Sequence, residues 1–279
     1  MFLDASTDGA GDALIDAAQG RSLSHRALRE AAASTAERLA GERSLLFLFC
    51  HNDAATVVTY LACAQAGHAV ALLDGAMGAE QRQALLARYR PEWLVGAEPI
   101  GDEAWNETEA GPTRMWHRSS GHGGELHPEL FLLLSTSGST GSPQLVRLTQ
   151  AAVEANARSI REALRIDGAE RAVASLPLHY SYGLSVLNSH LCAGASVMLT
   201  EESVLSPTFW ELVRHHRCTS MPGVPYSYQM LARVGFERME LPSLRTLTQA
   251  GGRLAVPLVE RFHGIMTDQI GRASCRERV

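Results

Sequence analysis

Short apolar runs alternate with helical patterns along most of the chain, and this alternation constrains the fold more than any other feature. Residues 45–49 form a continuous apolar run of strand length, followed by a helical pattern over 54–66 and a second apolar run over 69–72. Apolar strands separated by helices are typical of parallel sheets covered on both faces. The pattern therefore predicts an α/β fold with mostly parallel strands.

The other predicted elements continue the alternation. A helix begins after Ser24, whose side chain can accept from the free amides of the first turn, and ends before Gly41. Further helices are predicted over residues 79–89, 151–164, 207–215, 226–234 and 256–263, and further strands over 93–95, 130–134, 145–148, 195–199, 219–221 and 244–248.

One domain over residues 1–268 is predicted, with two sub-sheet regions at about 20–96 and 129–268. Residues 97–128 are rich in Gly, Glu, His and Ser and have weak periodicity, so they are predicted to be a loop-rich connection.

Composition excludes several classes of protein. With 46% hydrophobic and 20% charged residues among 279, the chain is predicted to be globular. The net charge of −5 is spread along the sequence, so neither nucleic acid nor an anionic membrane is an expected partner. The first residues lack a secretory signal, and the longest apolar run, residues 45–50, is too short to span a bilayer. A cytoplasmic location is therefore expected.

The last residues are predicted not to be native. Residues 270–279 have no apolar period, and they can be back-translated into a DNA string that resembles a widely used sequencing adapter. The match can extend into the codon of Gln269. Residues 269–279 are therefore treated as a non-native tail.

A loop rich in Gly, Ser and Thr follows the predicted strand 130–134. Gly138 and Gly141 permit positive φ, so successive backbone N–H groups between residues 136 and 141 can point into one concavity that suits phosphate oxygens. The loop is not a Walker A motif, a nucleophile elbow or a Rossmann fingerprint. Taken alone, it fits a polar hairpin at least as well as a nucleotide site.

The surroundings of this loop favour the nucleotide site. Residues 135–149, Ser-Thr-Ser-Gly-Ser-Thr-Gly-Ser-Pro-Gln-Leu-Val-Arg-Leu-Thr, resemble the phosphate-binding signature of the adenylate-forming superfamily. This superfamily includes acyl-CoA synthetases, nonribosomal-peptide adenylation domains and firefly-type luciferases. Residues 176–184, Leu-Pro-Leu-His-Tyr-Ser-Tyr-Gly-Leu, are similar to its Pro-Leu-Phe-His-x-x-Gly block. Residues 222–226 resemble its Gly-Val-Pro turn, and residues 248–254 resemble its Gly-Gly turn.

The resemblance covers about residues 20–268 and implies the N-terminal part of the adenylate-forming fold, with three groups of site residues. Phosphate binding is implied for Thr136, Ser137, Gly138, Ser139, Thr140, Gly141 and Gln144. Adenine binding is implied for Gly251, Gly252 and Arg253. An acyl pocket is implied for His179, Tyr180, Gly183 and Tyr226.

Two positions depart from the family's pattern. Gln144 stands where the signature usually has lysine, which removes a positive charge near the outgoing pyrophosphate. Arg147 is an odd number of residues away, so on an extended segment it faces the opposite side. His179 and Tyr180 carry the usual aromatic–histidine pair in swapped order, which predicts an altered gate to the acyl pocket.

The resemblance implies that a small carboxylic acid attacks the α-phosphorus of ATP, with Mg²⁺, and that the acyl-adenylate passes to a thiol of coenzyme A or of a carrier protein. In the family the Mg²⁺-binding block, the ribose-binding aspartate, the hinge and the catalytic lysine all follow the Gly-Gly turn. This sequence ends before them, so no catalytic residue is assigned.

Two other hypotheses stay open. The first is a non-catalytic fragment that binds nucleotide weakly at most. The second is a generic α/β domain in which the loop is only a turn.

Overall fold

The computed structural model describes residues 11–101, 104–108, 113–119, 124–135 and 145–270, with side chains described as far as residue 266. The predicted phosphate-binding residues 136–144 lie outside the described residues, as does the tail from residue 271 onwards.

The described chain is a mixed α/β structure. In chain order its elements are β1 (Asp12–Asp16), β2 (Arg21–Ser24), α1 (His25–Arg38), β3 (Leu45–Cys50), α2 (Ala54–Ala66), β4 (Ala69–Asp74), α3 (Ala79–Tyr89), β5 (Trp93–Val95), β6 (Trp105–Thr108), β7 (Met115–Arg118), β8 (Leu130–Ser135), β9 (Leu145–Thr149), α4 (Gln150–Leu164), β10 (Arg171–Ala174), α5 (Ser181–Cys192), β11 (Ser196–Leu199), α6 (Pro207–His215), β12 (Ser220–Gly223), α7 (Pro225–Arg233), β13 (Thr246–Gln249) and α8 (Val256–Ile270). A short 3₁₀ helix, Phe236–Arg238, follows α7.

The strands form two sheets. Sheet A has six strands in the order β13-β12-β10-β11-β1-β2, and all its pairings are parallel except that of β1 with β2. Sheet B has seven strands in the order β6-β7-β5-β3-β4-β8-β9, with a parallel centre of β5, β3, β4 and β8. The predicted α/β class with mostly parallel sub-sheets is confirmed.

The division of the strands between the sheets differs from the one expected. Strands β8 and β9, expected in the second region, belong to sheet B, where Val70 of β4 pairs with Leu132 of β8. Strands β1 and β2 join sheet A, and the connection 97–128 adds the hairpin β6–β7 to sheet B. The apolar pattern identifies buried strands, but it does not say which strand lies beside which, because pairing partners here are 60 to 180 residues apart.

Capping side chains determine where helices α1 and α2 begin, and apolar packing holds the helices against the sheets. Ser24 accepts a hydrogen bond from Ala27 N at 3.1 Å, and Asp53 does the same for Thr56 N at 2.8 Å. The largest of the described core clusters includes side chains of both sheets and of α2 and α5. Asn52, just after β3 of sheet B, donates to Ala174 O at the end of β10 and to Thr200 O after β11, so the carboxyl ends of the two sheets lie close together. Within the described residues, no helix has the length and apolar character needed to cross a bilayer.

Candidate active site

Three of the sequence blocks meet at the carboxyl end of sheet A. A Cβ added at Gly251 would lie 2.4 Å from Tyr180 Oη and 3.2 Å from Val224 Cγ1. A Cβ added at Gly252 would lie 3.2 Å from Pro225 Cγ. The Pro-Leu block, the Gly-Val-Pro turn and the Gly-Gly turn therefore form one continuous surface, although Tyr180 and Gly251 are 71 residues apart in the sequence.

Glycine is required at position 251 for two reasons. Its φ is 79°, a left-handed backbone conformation that costs free energy for residues other than glycine. Tyr180 also leaves no room for a Cβ. Gly251, Gly252 and Arg253 are exposed, so the backbone of the turn is open to a ligand.

A cavity of about 120 Å³ begins beside this turn. One face of α5 provides Tyr182, Ser185, Val186, Ser189 and His190, and the inward positions of β12 and β13 provide Ser220, Pro222, Thr246 and Thr248. Gln249 and Ala250, which precede the Gly-Gly turn, line it at the carboxyl end of the sheet, and Ile160, Leu164, Ile166 and Glu170 line it towards the opposite end.

None of the four residues predicted for the acyl pocket lines this cavity. Tyr180 faces Gly251 instead, and Tyr226 is 64% exposed. Gly183 packs against backbone, where an added Cβ would lie 2.3 Å from Pro177 O. The pocket role of these residues stays a prediction, and the structure adds Tyr182 as the aromatic residue that lines the cavity.

The fourth residue, His179, is half-buried. Burial lowers the pKa of His179, and the nearby Asp74 carboxylate partly opposes that effect. Asp74 ends β4 of sheet B, so its charge acts on the Pro-Leu block that follows β10 of sheet A.

Asn52 is a positioning residue that the sequence did not indicate. It is 7% exposed, and its Nδ2 donates to the carbonyl oxygens of Ala174 at 2.9 Å, Leu176 at 3.2 Å and Thr200 at 3.2 Å. Its Oδ1 accepts from Leu178 N at 3.1 Å. Asn52 thus fixes the segment that precedes His179 and Tyr180. A local sequence pattern could not predict this role of Asn52, because every one of its partners is more than 120 residues away.

His190 is a buried neutral imidazole in the cavity wall. Its Nδ1 lies 2.8 Å from the carbonyl oxygen of Val186, which can only accept, so Nδ1 carries the proton. Its Nε2 lies 3.3 Å from Ser220 Oγ. Burial lowers the pKa of His190 to about 4. At neutral pH, Nε2 is therefore a hydrogen-bond acceptor.

The lowered pKa of His190 predicts acid-sensitive folding. Between pH 6.5 and 4 the unfolded chain binds a proton at this residue and the folded chain does not, so stability falls as the pH falls through that window. The loss reaches about 3 kcal/mol at pH 4. Urea unfolding at several pH values should show a shallower pH dependence for His190→Gln than for the unsubstituted chain. The exposed control His215→Gln should keep the original dependence, and equal slopes for all three proteins would contradict the assignment.

The architecture and the converging blocks define an α/β domain, and comparison with known proteins identifies its family. The chain belongs to the family of AMP-binding enzymes, whose model matches residues 4–273. The match excludes a generic α/β domain as an interpretation.

Curated relatives include ligases and multidomain synthetases. The chain is 28% identical over 221 residues to a feruloyl-CoA synthase of Amycolatopsis, covering 76% of this chain and 45% of that protein. It is 26% identical over 242 residues to the pyochelin synthetase PchF of Pseudomonas aeruginosa, covering 80% of this chain and 13% of that protein. The matched part is thus less than half the length of each of these relatives.

Solved structures confirm the fold. The apo structure of MatB from Rhodopseudomonas palustris superimposes with a TM-score of 0.75 at 18% sequence identity, covering 99% of this chain and 58% of that one. The chain therefore corresponds to a part of the larger fold, and the alignment leaves almost none of this sequence outside it.

Proposed function

We propose that this chain carries the acid-binding and nucleotide-binding part of an enzyme that activates a carboxylic acid with ATP. The observation that supports the proposal is that the cavity and the Gly-Gly turn are contiguous: Ala250 lines the cavity and Gly251 begins the turn beside Tyr180. An acid whose tail fills the cavity would present its carboxylate at the turn, where a nucleotide base and ribose can lie.

In the proposed reaction, a carboxylate oxygen attacks the α-phosphorus of ATP. The bond between that phosphorus and the bridging oxygen breaks, pyrophosphate leaves, and an acyl-adenylate forms. A thiolate then attacks the acyl carbon, and AMP leaves. Rate enhancement for such phosphoryl chemistry comes mainly from positioning and charge neutralisation.

The residues of this chain contribute to positioning. The Gly-Gly turn with Arg253 would hold the adenine end, and residues 136–144 are proposed to hold the phosphates. Asn52 and Gly183 keep the segment of His179 and Tyr180 in place. Mg²⁺ would arrive with the triphosphate and supply positive charge there. Among the described residues, no group of three potential metal ligands lies together.

The thiol acceptor is either coenzyme A or the arm of a carrier protein. Relatives of the first kind are named as CoA ligases, and those of the second kind as nonribosomal-peptide synthetases, so both acceptors are consistent with the family. The alternative proposal is that these 279 residues alone bind nucleotide weakly and do not catalyse.

Titration of the chain with AMP tests the proposed nucleotide site. We expect Gly251→Ala to weaken AMP binding at least about tenfold, because the added Cβ strains the turn and displaces Tyr180. The control is Gly20→Ala, which has a similar positive φ of 60° but open space around it, and it should leave AMP binding unchanged. If AMP fails to bind, or both variants bind it alike, the proposed site is wrong.

Catalysis by the chain is measured separately. ATP–pyrophosphate exchange with a panel of carboxylic acids would show activation directly. AMP binding without exchange would support the alternative, in which these residues bind nucleotide and do not catalyse.

A further inference from the structure

The hydroxyl groups in the wall of the cavity are oriented by the protein itself. Ser185 Oγ donates to Tyr182 O at 2.8 Å, and Ser189 Oγ donates to Val186 O at 3.2 Å. Both acceptors are carbonyl groups of the same helix, α5. These two serines therefore use their protons internally and present only oxygen lone pairs to the cavity.

The third serine is oriented by His190. Because Nδ1 of His190 donates to Val186 O, its Nε2 has no proton and can only accept. The contact of 3.3 Å between Nε2 and Ser220 Oγ is then a hydrogen bond in which Ser220 donates. Ser220, like the other two serines, can only accept from a ligand.

Other polar groups along the cavity wall also use their protons within the protein or carry none to donate. The Nε2 of Gln249 donates to Ala250 O at 3.0 Å and to Gly252 O at 2.7 Å, which uses both of its protons. At the far end, the carboxylate of Glu170 accepts from Thr219 Oγ1 and lies 3.3 Å from Arg245. The pair of Tyr182 and Thr248, whose hydroxyls are 2.9 Å apart, keeps a spare proton, since one of the two donates to the other, and Thr246 adds a further hydroxyl to the wall.

The cavity is small and elongated. Its volume of about 120 Å³ is of the order of the apolar cavities of about 150 Å³ that hold one benzene molecule. It follows α5 from Tyr182 to Ser189, a length of about 10 Å at the helical rise. Because this volume is slightly below that of a cavity that holds one benzene molecule, one six-membered ring is about the largest ring system that the space can enclose.

We propose that the preferred acid has a tail no larger than one six-membered ring, ending in a hydrogen-bond donor such as a hydroxyl or amino group that the serine oxygens of the cavity accept. The proposal rests on the proposed function, because it assumes that the cavity holds the acid. A tail that ends in a methyl group would leave desolvated oxygens without a partner, which costs free energy that the donor-bearing acid avoids.

A series of substituted benzoates that differ in one group tests this proposal. Binding of 4-hydroxybenzoate, 4-aminobenzoate, 4-methylbenzoate and 4-phenylbenzoate to the full chain is measured by calorimetry and ligand-observed NMR, with and without AMP. We expect the hydroxy and amino acids to bind about tenfold tighter than the methyl acid, and the phenyl acid to bind at least about tenfold weaker than the methyl acid. Equal or tighter binding of the methyl or phenyl acid would overturn the proposal.

Serine substitutions link the preference to the wall. The double variant Ser189→Ala with Ser220→Ala should reduce the preference for hydroxy over methyl to about twofold or less. The control Ser196→Ala removes a serine that is as buried as Ser220 and lies in the same sheet but bonds to Asp12 O outside the cavity, so it should keep the full preference. An unchanged preference in the double variant would refute the proposal. If that variant does not fold, the benzoate series alone decides.

The AMP titration separates failure of this proposal from failure of the proposed function. One outcome is that AMP binds while no acid of the series binds, or while the methyl acid binds best. In either case the proposed substrate class is wrong and the proposed nucleotide site is supported. If neither AMP nor any acid binds, the proposed function fails and the substrate class fails with it.

Discussion

We expect Asn52→Ala to lower the free energy of unfolding by about 3 kcal/mol, a large fraction of the stability of a typical domain. The substitution leaves Leu178 N and the carbonyl oxygens of Ala174, Leu176 and Thr200 without this partner, at a site where Asn52 itself is 7% exposed. The midpoint of urea unfolding, with the slope held constant, measures the loss.

Two further variants show whether the loss comes from hydrogen bonds. Asn52→Asp has nearly the same volume, but its carboxylate would face three carbonyl oxygens and lie close to Glu201, whose Oε1 accepts from Asn52 N at 3.2 Å. It should destabilise at least as much as alanine. Asn106→Ala, on an exposed position of the edge strand β6, should change stability by less than about 0.5 kcal/mol.

The same variant tests the function of the contact. Because Asn52 holds the segment before His179 and Tyr180, its loss should also weaken AMP binding beside Gly251, measured under conditions in which the variant is folded. Full stability of Asn52→Ala, or recovery of stability in Asn52→Asp, would contradict the role assigned to these hydrogen bonds.

Elements with strong local signals could be predicted from the sequence. The helices α2, α3 and α6 and the strand β5 have the bounds that were expected. Asp53 caps the first of these helices and Gly67 ends it in a left-handed conformation, while Pro207 occupies the first turn of α6. Such residues determine local backbone geometry, so their effect does not depend on distant parts of the chain.

Elements whose character depends on tertiary contacts were missed. Helix α5 is not predicted as an element, although Leu184, Leu187 and Leu191 recur at helical spacing and are buried in the core. Its other face, with Ser185, Ser189 and His190, is polar. That face lines a cavity and does not pack in a core. In retrospect, the spacing of Tyr182, Ser185, Val186, Ser189 and His190 has the helical period, and it is the signal that could have located the cavity.

Other misses have a similar cause. Strand β10, Arg-Ala-Val-Ala, has one β-branched residue and becomes a strand because it lies between β11 and β12 in sheet A. Strands β1 and β2 lie near the start of the chain and pair with each other, and β1 also pairs with β11, about 180 residues away. Pairing over such distances leaves no periodic trace in either segment alone.

The sequence motifs of the candidate site could be predicted, but the three-dimensional arrangement of their side chains could not. The family resemblance implies an acyl pocket for Tyr180 and adenine binding for Gly251, as separate groups, and the structure places these two residues and the Gly-Val-Pro turn side by side. The sequence did not indicate which side chain of residues 179–183 lines the cavity. That choice depends on where α5 begins, since a change of one residue turns a side chain by about 100° around the helix.

Gly183 packs against the backbone of residues 176–177 in the first turn of α5, and Gly183→Ala is the second substitution for which we expect a large effect. In an ordinary helix, replacing glycine with alanine stabilises by about 1 kcal/mol. Here the new Cβ would lie 2.3 Å from Pro177 O and 2.7 Å from Leu176 O, and both are backbone atoms that cannot rotate away. We expect a net loss of about 3 kcal/mol in the free energy of unfolding, since the helix must shift as a unit.

The matched control for this substitution is Gly264→Ala. Gly264 also lies within a helix, α8, and no atom lies within 4 Å of the place that its Cβ would take, so alanine there should be neutral or stabilising. The opposite signs of the two effects exclude helix propensity as their cause. Because a shift of α5 moves Tyr182 and Ser185, Gly183→Ala should also weaken binding of 4-hydroxybenzoate while Gly264→Ala does not. Stability and binding unchanged in Gly183→Ala would show that the close approach of α5 to residues 176–177 does not hold the cavity in shape.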